Sequence, residues 1–287
     1  MDNRSNYSQV PIRLDVEDEI FIICMSETEE FPQYVTNFND IVDRYDNRLI
    51  SLDYKNLSLD SVRQRINGDL INIEHHSFIN SRLMRRDYQY SVILHSNSGQ
   101  YVHPFIFYTG ALPIKKVNYL NDLMFFNPNW FITKEIDGNV RFNNILYKKN
   151  ENIELNIFDC FDLIWLPKFN TNMGFEECIL KCICLLKDLP MDDKLRYLVE
   201  RCYLLWLGRY VCDEEKYNLA REGFTMSALK VRPFEEVFRD ALMVNVFEQG
   251  IDMTEKKFIP GLLKFKSPEE ISEEYDIPLE RVLRYVE

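Results

Sequence analysis

Two carboxylates and a histidine, Asp60, Glu74 and His76, stand within the stretch 57–77, LSLDSVRQRINGDLINIEHHS. Carboxylate oxygens are hard ligands, and two of them in one site suit a small divalent cation such as magnesium or manganese. A cation so held polarises a phosphodiester and lowers the pKa of an attacking water. A neutral histidine beside the pair would orient water or bind a softer metal. Whether these residues meet depends on the turn between them.

The alternation of apolar and β-branched residues on both sides of Asn67-Gly68 predicts a β-hairpin. With a two-residue Asn67-Gly68 turn, Asp60 faces His75, and Asp60 and Glu74 fall on opposite sheet faces. With a three-residue loop, Ile66-Asn67-Gly68, closed by Gly68 in the left-handed region, Arg65 faces Asp69 and Asp60 faces Glu74. The second register collects Ser58, Asp60, Gln64, Asn72, Glu74 and His76 on one polar face and Leu57, Leu59, Ile71 and Ile73 on the other. That cleaner segregation favours it. Directly opposed residues have Cβ atoms about 4.5 to 5.5 Å apart, close enough for two carboxylates to share one cation. The competing expectation is the polar outer face of an ordinary hairpin.

The run Leu59-Asp60, the Asn67-Gly68 hairpin and Asn72-Ile73-Glu74 resemble the core of the PD-(D/E)xK nuclease superfamily, and more narrowly the Rpn group of recombination-promoting, transposase-like nucleases. Ser77, a helical stretch with Arg86 and Tyr90, and the strand Val102-His103-Pro104-Phe105-Ile106-Phe107-Tyr108-Thr109-Gly110 follow in the order expected there. The last is similar to a P-x-I-x-Y-x-G strand. Residues 267–282 are similar to a short helix-turn-helix-like tail. The resemblance covers residues 50–110 and the tail. It implies a restriction-endonuclease-like α/β core sheet flanked by helices, and metal-dependent cleavage of DNA linked to recombination, mobile elements or defence.

Carried over position by position, the resemblance makes Asp60 and Glu74 the metal-binding carboxylates, with the His75 carbonyl completing the shell. His76 stands where the superfamily has Lys and the narrower group often has Gln. Lysine is a permanent cation, whereas an unperturbed histidine has a pKa of about 6.5 and is mostly neutral at pH 7. The superfamily also uses an acid from an upstream helix. Asp40 and Asp43 are the candidates for it, ahead of Glu29 and Glu30. A catalytically degenerate nuclease fold acting as a binding module is the alternative expectation.

A net charge of −12 argues against broad non-specific affinity for nucleic acid, so DNA contact must be local. Arg82, Arg85 and Arg86 fall at helical spacing after the hairpin, and Arg82 and Arg86 are the expected phosphate-binding residues. Lys115 and Lys116 are weaker candidates. The seven cysteines are irregularly spaced, which suits a reducing cytoplasm rather than a disulfide framework. Cys178, Cys182 and Cys184 sit in an apolar helical run and read as core thiols. The polar, acidic start is unlike a secretory signal, and runs such as Ile20 to Met25 are too short to span a membrane. A soluble cytoplasmic protein is the expectation.

A mixed α/β domain over 1–170, with the site at one sheet edge, and a mainly helical extension over 171–287 are the expected organisation. WFITKEI, VRFNNILY and IELNIF read as further strands. Met173 to Asp188 and Leu195 to Val211 read as helices separated by Pro190. Pro233 to Gln249 has an amphipathic stripe followed by Gly250. Two short helices, Pro268 to Tyr275 and Pro278 to Val286, close the chain. The first is acidic, so packing or self-association into a homo-oligomer suits the tail better than DNA reading.

Overall fold

The computed structural model describes residues 16–45, 48–50, 56–111, 119–121, 124–211, 213–221, 223–224, 254–275 and 277–286. In chain order the elements are α1 (Val16–Glu27), α2 (Phe31–Thr36), β1 (Ile41–Arg44), β2 (Arg48–Ile50), β3 (Asn56–Ser58), β4 (Ser61–Arg65), β5 (Leu70–His76), α3 (Ser81–Ser98), β6 (Val102–Tyr108), β7 (Tyr119–Asn121), β8 (Met124–Phe125), β9 (Asn129–Ile132), α4 (Gly138–Asn150), α5 (Ile157–Trp165), α6 (Phe175–Leu186), α7 (Asp193–Tyr210) and α8 (Glu214–Arg221). The fold is mixed α/β. Five strands make one sheet in the order β1-β4-β5-β6-β9. The pairs β1–β4 and β4–β5 are antiparallel, whereas β5–β6 and β6–β9 are parallel. The parallel pair β5–β6 requires a crossover, which α3 supplies.

The turn between β4 and β5 is the three-residue one. Gly68 N–H donates to the Arg65 carbonyl at 2.9 Å and Arg65 N–H donates to the Asp69 carbonyl at 2.9 Å. Gly68 has φ +91°, a left-handed conformation that glycine adopts without steric cost. Asn67 Oδ1 accepts from Asp69 N–H at 3.0 Å and steadies the reversal. Pairs Ser61↔Ile73 to Gln64↔Leu70 follow this register; the ladder ends there, and Asp60, at a bend just before β4, reaches β5 through its side chain, which accepts the His75 N–H.

Burial departs from the expected half-polar hairpin. Every residue of β5 is buried, because β5 is the middle strand and helices cover both faces. The site therefore lies in the sheet interior, not at an edge. Ile71 and Ile73 join Phe105, Phe107, Phe21, Phe161 and Trp165 in the main core. The opposite face of β5 meets α3, where Val62, Leu70 and Leu94 form a second cluster. Leu59 belongs to that second cluster rather than with Ile71 and Ile73, since the chain bends at Asp60 and β3 pairs with β2 instead of extending β4.

Of the expected later strands, only WFI forms one, as β9. VRFNNILY is helical in α4, because Asp137 caps it by accepting from Asn139 and Val140 N–H. IELNIF runs into α5, which opens with a capping box between Asn156 and Asp159. Both caps override the strand-like alternation. Helices α6 and α7 form where expected, and their buried faces enter the same core as α1, β5 and β6. Cys178 and Cys182 are buried there, whereas Cys184 is exposed.

Residues 254–262, Pro268–Tyr275 and Leu279–Leu283 are helical and enclose a small core of Ile259, Ile271 and Val282. The tail reaches the main body where Ser81 Oγ donates to Glu273 at 2.8 Å. The expected helix over 233–249 and the pair Lys115–Lys116 lie outside the described residues. Among the described residues no helix is long and apolar enough to cross a membrane.

Candidate functional site

The carboxyl ends of parallel strands β5 and β6 lie together, with His76 paired to Tyr108. Ligands in sheets of this kind bind outside the carboxyl ends of the strands. Here a pocket of about 210 Å³ is lined by Asp18, Asp60, His75, His76, Leu83 and Arg86 among others. A larger groove of about 640 Å³ crosses α4, α6 and α8. Its charged residues pair with one another, Lys181 with Glu177 at 2.7 Å and Lys216 with Glu176 at 2.9 Å, leaving an apolar surface without convergent polar groups.

Alternation along β5 sends Glu74 and His76 toward α3 and His75 toward α1. Glu74 is 1% exposed, and neither carboxylate oxygen has a hydrogen-bond partner among the described residues. Its nearest cation is Arg86, with Nη2 3.9 Å from Oε2. Burial pushes the Glu74 carboxyl well above the ordinary carboxylate range, the charges of Asp60 and Asp87 add to that, and Arg86 and the neighbouring Asn72 side chain oppose it. Asp60 sits at the pocket rim and accepts the His75 backbone N–H through Oδ2 at 2.8 Å. Desolvation raises its carboxyl as well, and the His75 N–H opposes. Both carboxyls thus resist ionisation, Asp60 on the exposed pocket wall and Glu74 buried within reach of its charge.

The His75 ring is held on both sides. Nδ1 bonds Asp18 Oδ1, and Nε2 lies 2.9 Å from Thr109 Oγ1. Thr109 also bonds the buried Glu17, which in turn meets Lys168 and, at 3.2 Å, the Tyr210 hydroxyl. On the other face, His76 Nε2 lies 2.6 Å from Asp87 Oδ2, with Asp87 1% and His76 5% exposed. Gly110 lets β6 approach the turn after β5, since a Cβ there would fall 2.4 Å from the Ser77 carbonyl oxygen.

Asp60, Glu74, His75 and His76 are therefore brought together, and Arg86 joins them from α3. Arg82 and Arg85 are exposed and outside the pocket lining. Asp40 and Asp43 are not at the site. Asp40 forms a two-pronged ion pair with Arg65 (2.8 to 3.1 Å) at the turn end of the hairpin. At ~3.3 Å per strand residue, Asp69 beside that pair is roughly 17 Å from Glu74. Asp43 is exposed on the outer strand β1, where its carboxylate caps Arg44 N–H. The upstream acid that does reach the pocket is Asp18, on α1. Its neighbour Glu17 falls on the apolar spacing of Ile20, Phe21 and Cys24, a signal of burial readable in the sequence. Asp87 carries a similar signal, sharing the buried stripe of α3 with Met84 and Leu94.

Among the described residues no group of three or more His, Cys, Asp or Glu is arranged to hold a metal ion. Comparison of the chain with protein-family models, with curated proteins and with solved structures finds no match in any of the three.

Proposed function

We propose that the chain is a metal-dependent endonuclease of the PD-(D/E)xK type that hydrolyses phosphodiester bonds in DNA, in the setting of recombination, mobile elements or defence. The observation that carries this reading is the Glu74 carboxylate, buried with no partner within hydrogen-bond distance and close enough to Asp60 for the two charges to repel. A buried, unpaired carboxylate costs several kcal/mol, and such sites are retained where a ligand or a proton completes them. The donor set fits a hard divalent cation: Asp60, Glu74 and the His75 carbonyl would hold magnesium or manganese. That cation would polarise the phosphate and acidify the attacking water.

The protein's own groups have distinct tasks. His76 orients the water, Asp18 and Thr109 hold the His75 segment of backbone in place, and Arg86 meets a phosphate oxygen at the pocket mouth. With a net charge of −12, DNA contact is confined to this mouth and the exposed Arg82 and Arg85. The test is plasmid nicking with Mg²⁺ or Mn²⁺ by the wild-type chain, Asp60→Ala and Glu74→Gln. Loss in both variants is expected, and equal nicking by all three, or none by any, rejects the assignment.

One observation favours a second reading, a degenerate nuclease fold used as a binding module: no three-residue metal cluster occurs among the described residues. Calorimetric titration with Mn²⁺ separates the two readings. The nuclease reading requires a binding isotherm that Asp60→Ala abolishes.

A further inference from the structure

Asp87 is joined to the site on two sides. Oδ2 lies 2.6 Å from His76 Nε2, and Oδ1 lies 3.4 Å from both Nε and Nη2 of Arg86. At 1% exposure it has little access to water, so these partners must satisfy it. An ionised carboxylate only accepts hydrogen bonds, and a neutral imidazole offers one donor and one acceptor. The nitrogen facing Asp87 must therefore carry the hydrogen. His76 Nδ1 has no partner among the described residues, and the ring lines the pocket.

We propose that Asp87 is a positioning residue for His76, holding the Nε2–H tautomer so that the Nδ1 lone pair is presented to the pocket as a hydrogen-bond acceptor for the attacking water. The proposal rests on the nuclease reading above. Lysine has three donors and no acceptor. His76 with Asp87 is thus no electrostatic substitute for lysine but a different device, one that accepts a hydrogen bond from the attacking water and so orients its lone pair toward phosphorus. Asp87 keeps the Nε2 hydrogen bond throughout and so keeps Nδ1 turned to the water. Partners that fix the tautomer of a metal-ligating histidine are worth roughly 10- to 100-fold, and a loss of the same order is expected for one that fixes a water-orienting histidine.

The chain has four histidines, so ring ¹⁵N labelling gives few signals, and His76→Gln identifies the one at issue. Long-range ¹H–¹⁵N spectra of the full chain are expected to show His76 with Nε2 protonated and Nδ1 bare. Asp87→Asn, whose amide can donate to Nε2, should shift the ring toward the Nδ1–H form. In plasmid nicking the same variant should lose roughly 10- to 100-fold in kcat while KM for DNA and the half-saturating Mn²⁺ concentration hold within about twofold. A wild-type His76 protonated at Nδ1 overturns the proposal without any variant, as does unchanged kcat in a folded Asp87→Asn. Absence of nicking by the wild-type chain overturns the nuclease reading on which the proposal rests, while the spectra still decide whether Asp87 sets the ring.

Discussion

Glu74→Gln should make the cation-free protein more stable. The wild-type side chain keeps its shape in the variant but loses a charge that is 1% exposed and has no hydrogen bond. Burying a carboxylate costs several kcal/mol, and the Arg86 guanidinium at 3.9 Å returns about 4 kcal/mol at an effective dielectric of ~20. Repulsion from Asp60 and Asp87 removes part of that return. The glutamine amide can donate to those carboxylates, so a net gain of about 1 to 3 kcal/mol is expected at pH 7.5. At ~2.1 cal/mol/K per residue over 287 residues, that corresponds to a rise in Tm of roughly 2 to 5 °C.

The pH dependence follows from the raised pKa of Glu74. Between the ordinary carboxylate range and the raised folded value, the native state holds a proton that the unfolded chain has released. Wild-type stability therefore falls with rising pH across that window, and the advantage of the glutamine variant should grow from pH 4.5 upward. Mn²⁺ should reverse the order, because a ligand at one thousand times its Kd adds about 4.1 kcal/mol to the wild type and little to the variant. Calorimetric melts with and without Mn²⁺ at several pH values measure all of this. A variant less stable than wild type without cation, together with no Mn²⁺ shift in the wild type, would refute the account of Glu74 as a cation ligand.

Removing Arg86 takes away the cation nearest Glu74, so Arg86→Met should bind Mn²⁺ more tightly than wild type in calorimetry while binding DNA more weakly; weaker Mn²⁺ binding would show that the two cations do not compete. Asp60→Ala leaves the His75 N–H without its charged acceptor and should cost about 1 to 3 kcal/mol in urea unfolding, besides ending cation binding; unchanged stability would mean that bond contributes nothing. Gly68→Ala should cost about 1 to 2 kcal/mol because of φ +91°. Gly110→Ala should cost more, since its Cβ would meet a backbone oxygen at 2.4 Å, and the reverse order in denaturation midpoints would contradict this.

The hairpin was the most legible part of the chain. A turn that admits a left-handed glycine and a register that sorts polar from apolar residues are both local properties, and they fix the pairing of β4 with β5 as far as Ser61 and Ile73. What the polar face touches is not local. Asn72, Glu74 and His76 read as one polar face, yet α3 covers them, and the crossover that puts it there depends on the parallel pairing of β5 with β6. Asp40 lost its expected place to Asp18 for a related reason. Being near the hairpin in sequence put Asp40 at the turn end, whereas α1 packs along the opposite, carboxyl end of β5. The helices α4 and α5 were misread because single capping residues, Asp137 and Asn156, outweigh an ambiguous apolar pattern.

The hydrogen bond between Tyr210 and Glu17 spans 193 positions of the chain, and Glu17 also supports Thr109, which holds His75. Contacts of such long range form late, after most of the loop-closure entropy has been overcome. A chain still being synthesised has no α7 to close this brace until residue 210 has emerged, so the support behind His75 is expected to be incomplete until then. For a protein proposed to cut DNA, the order of assembly is then a safeguard: partly made chains are expected to be inert. A fragment ending at residue 190 that bound Mn²⁺ with wild-type affinity would remove that safeguard.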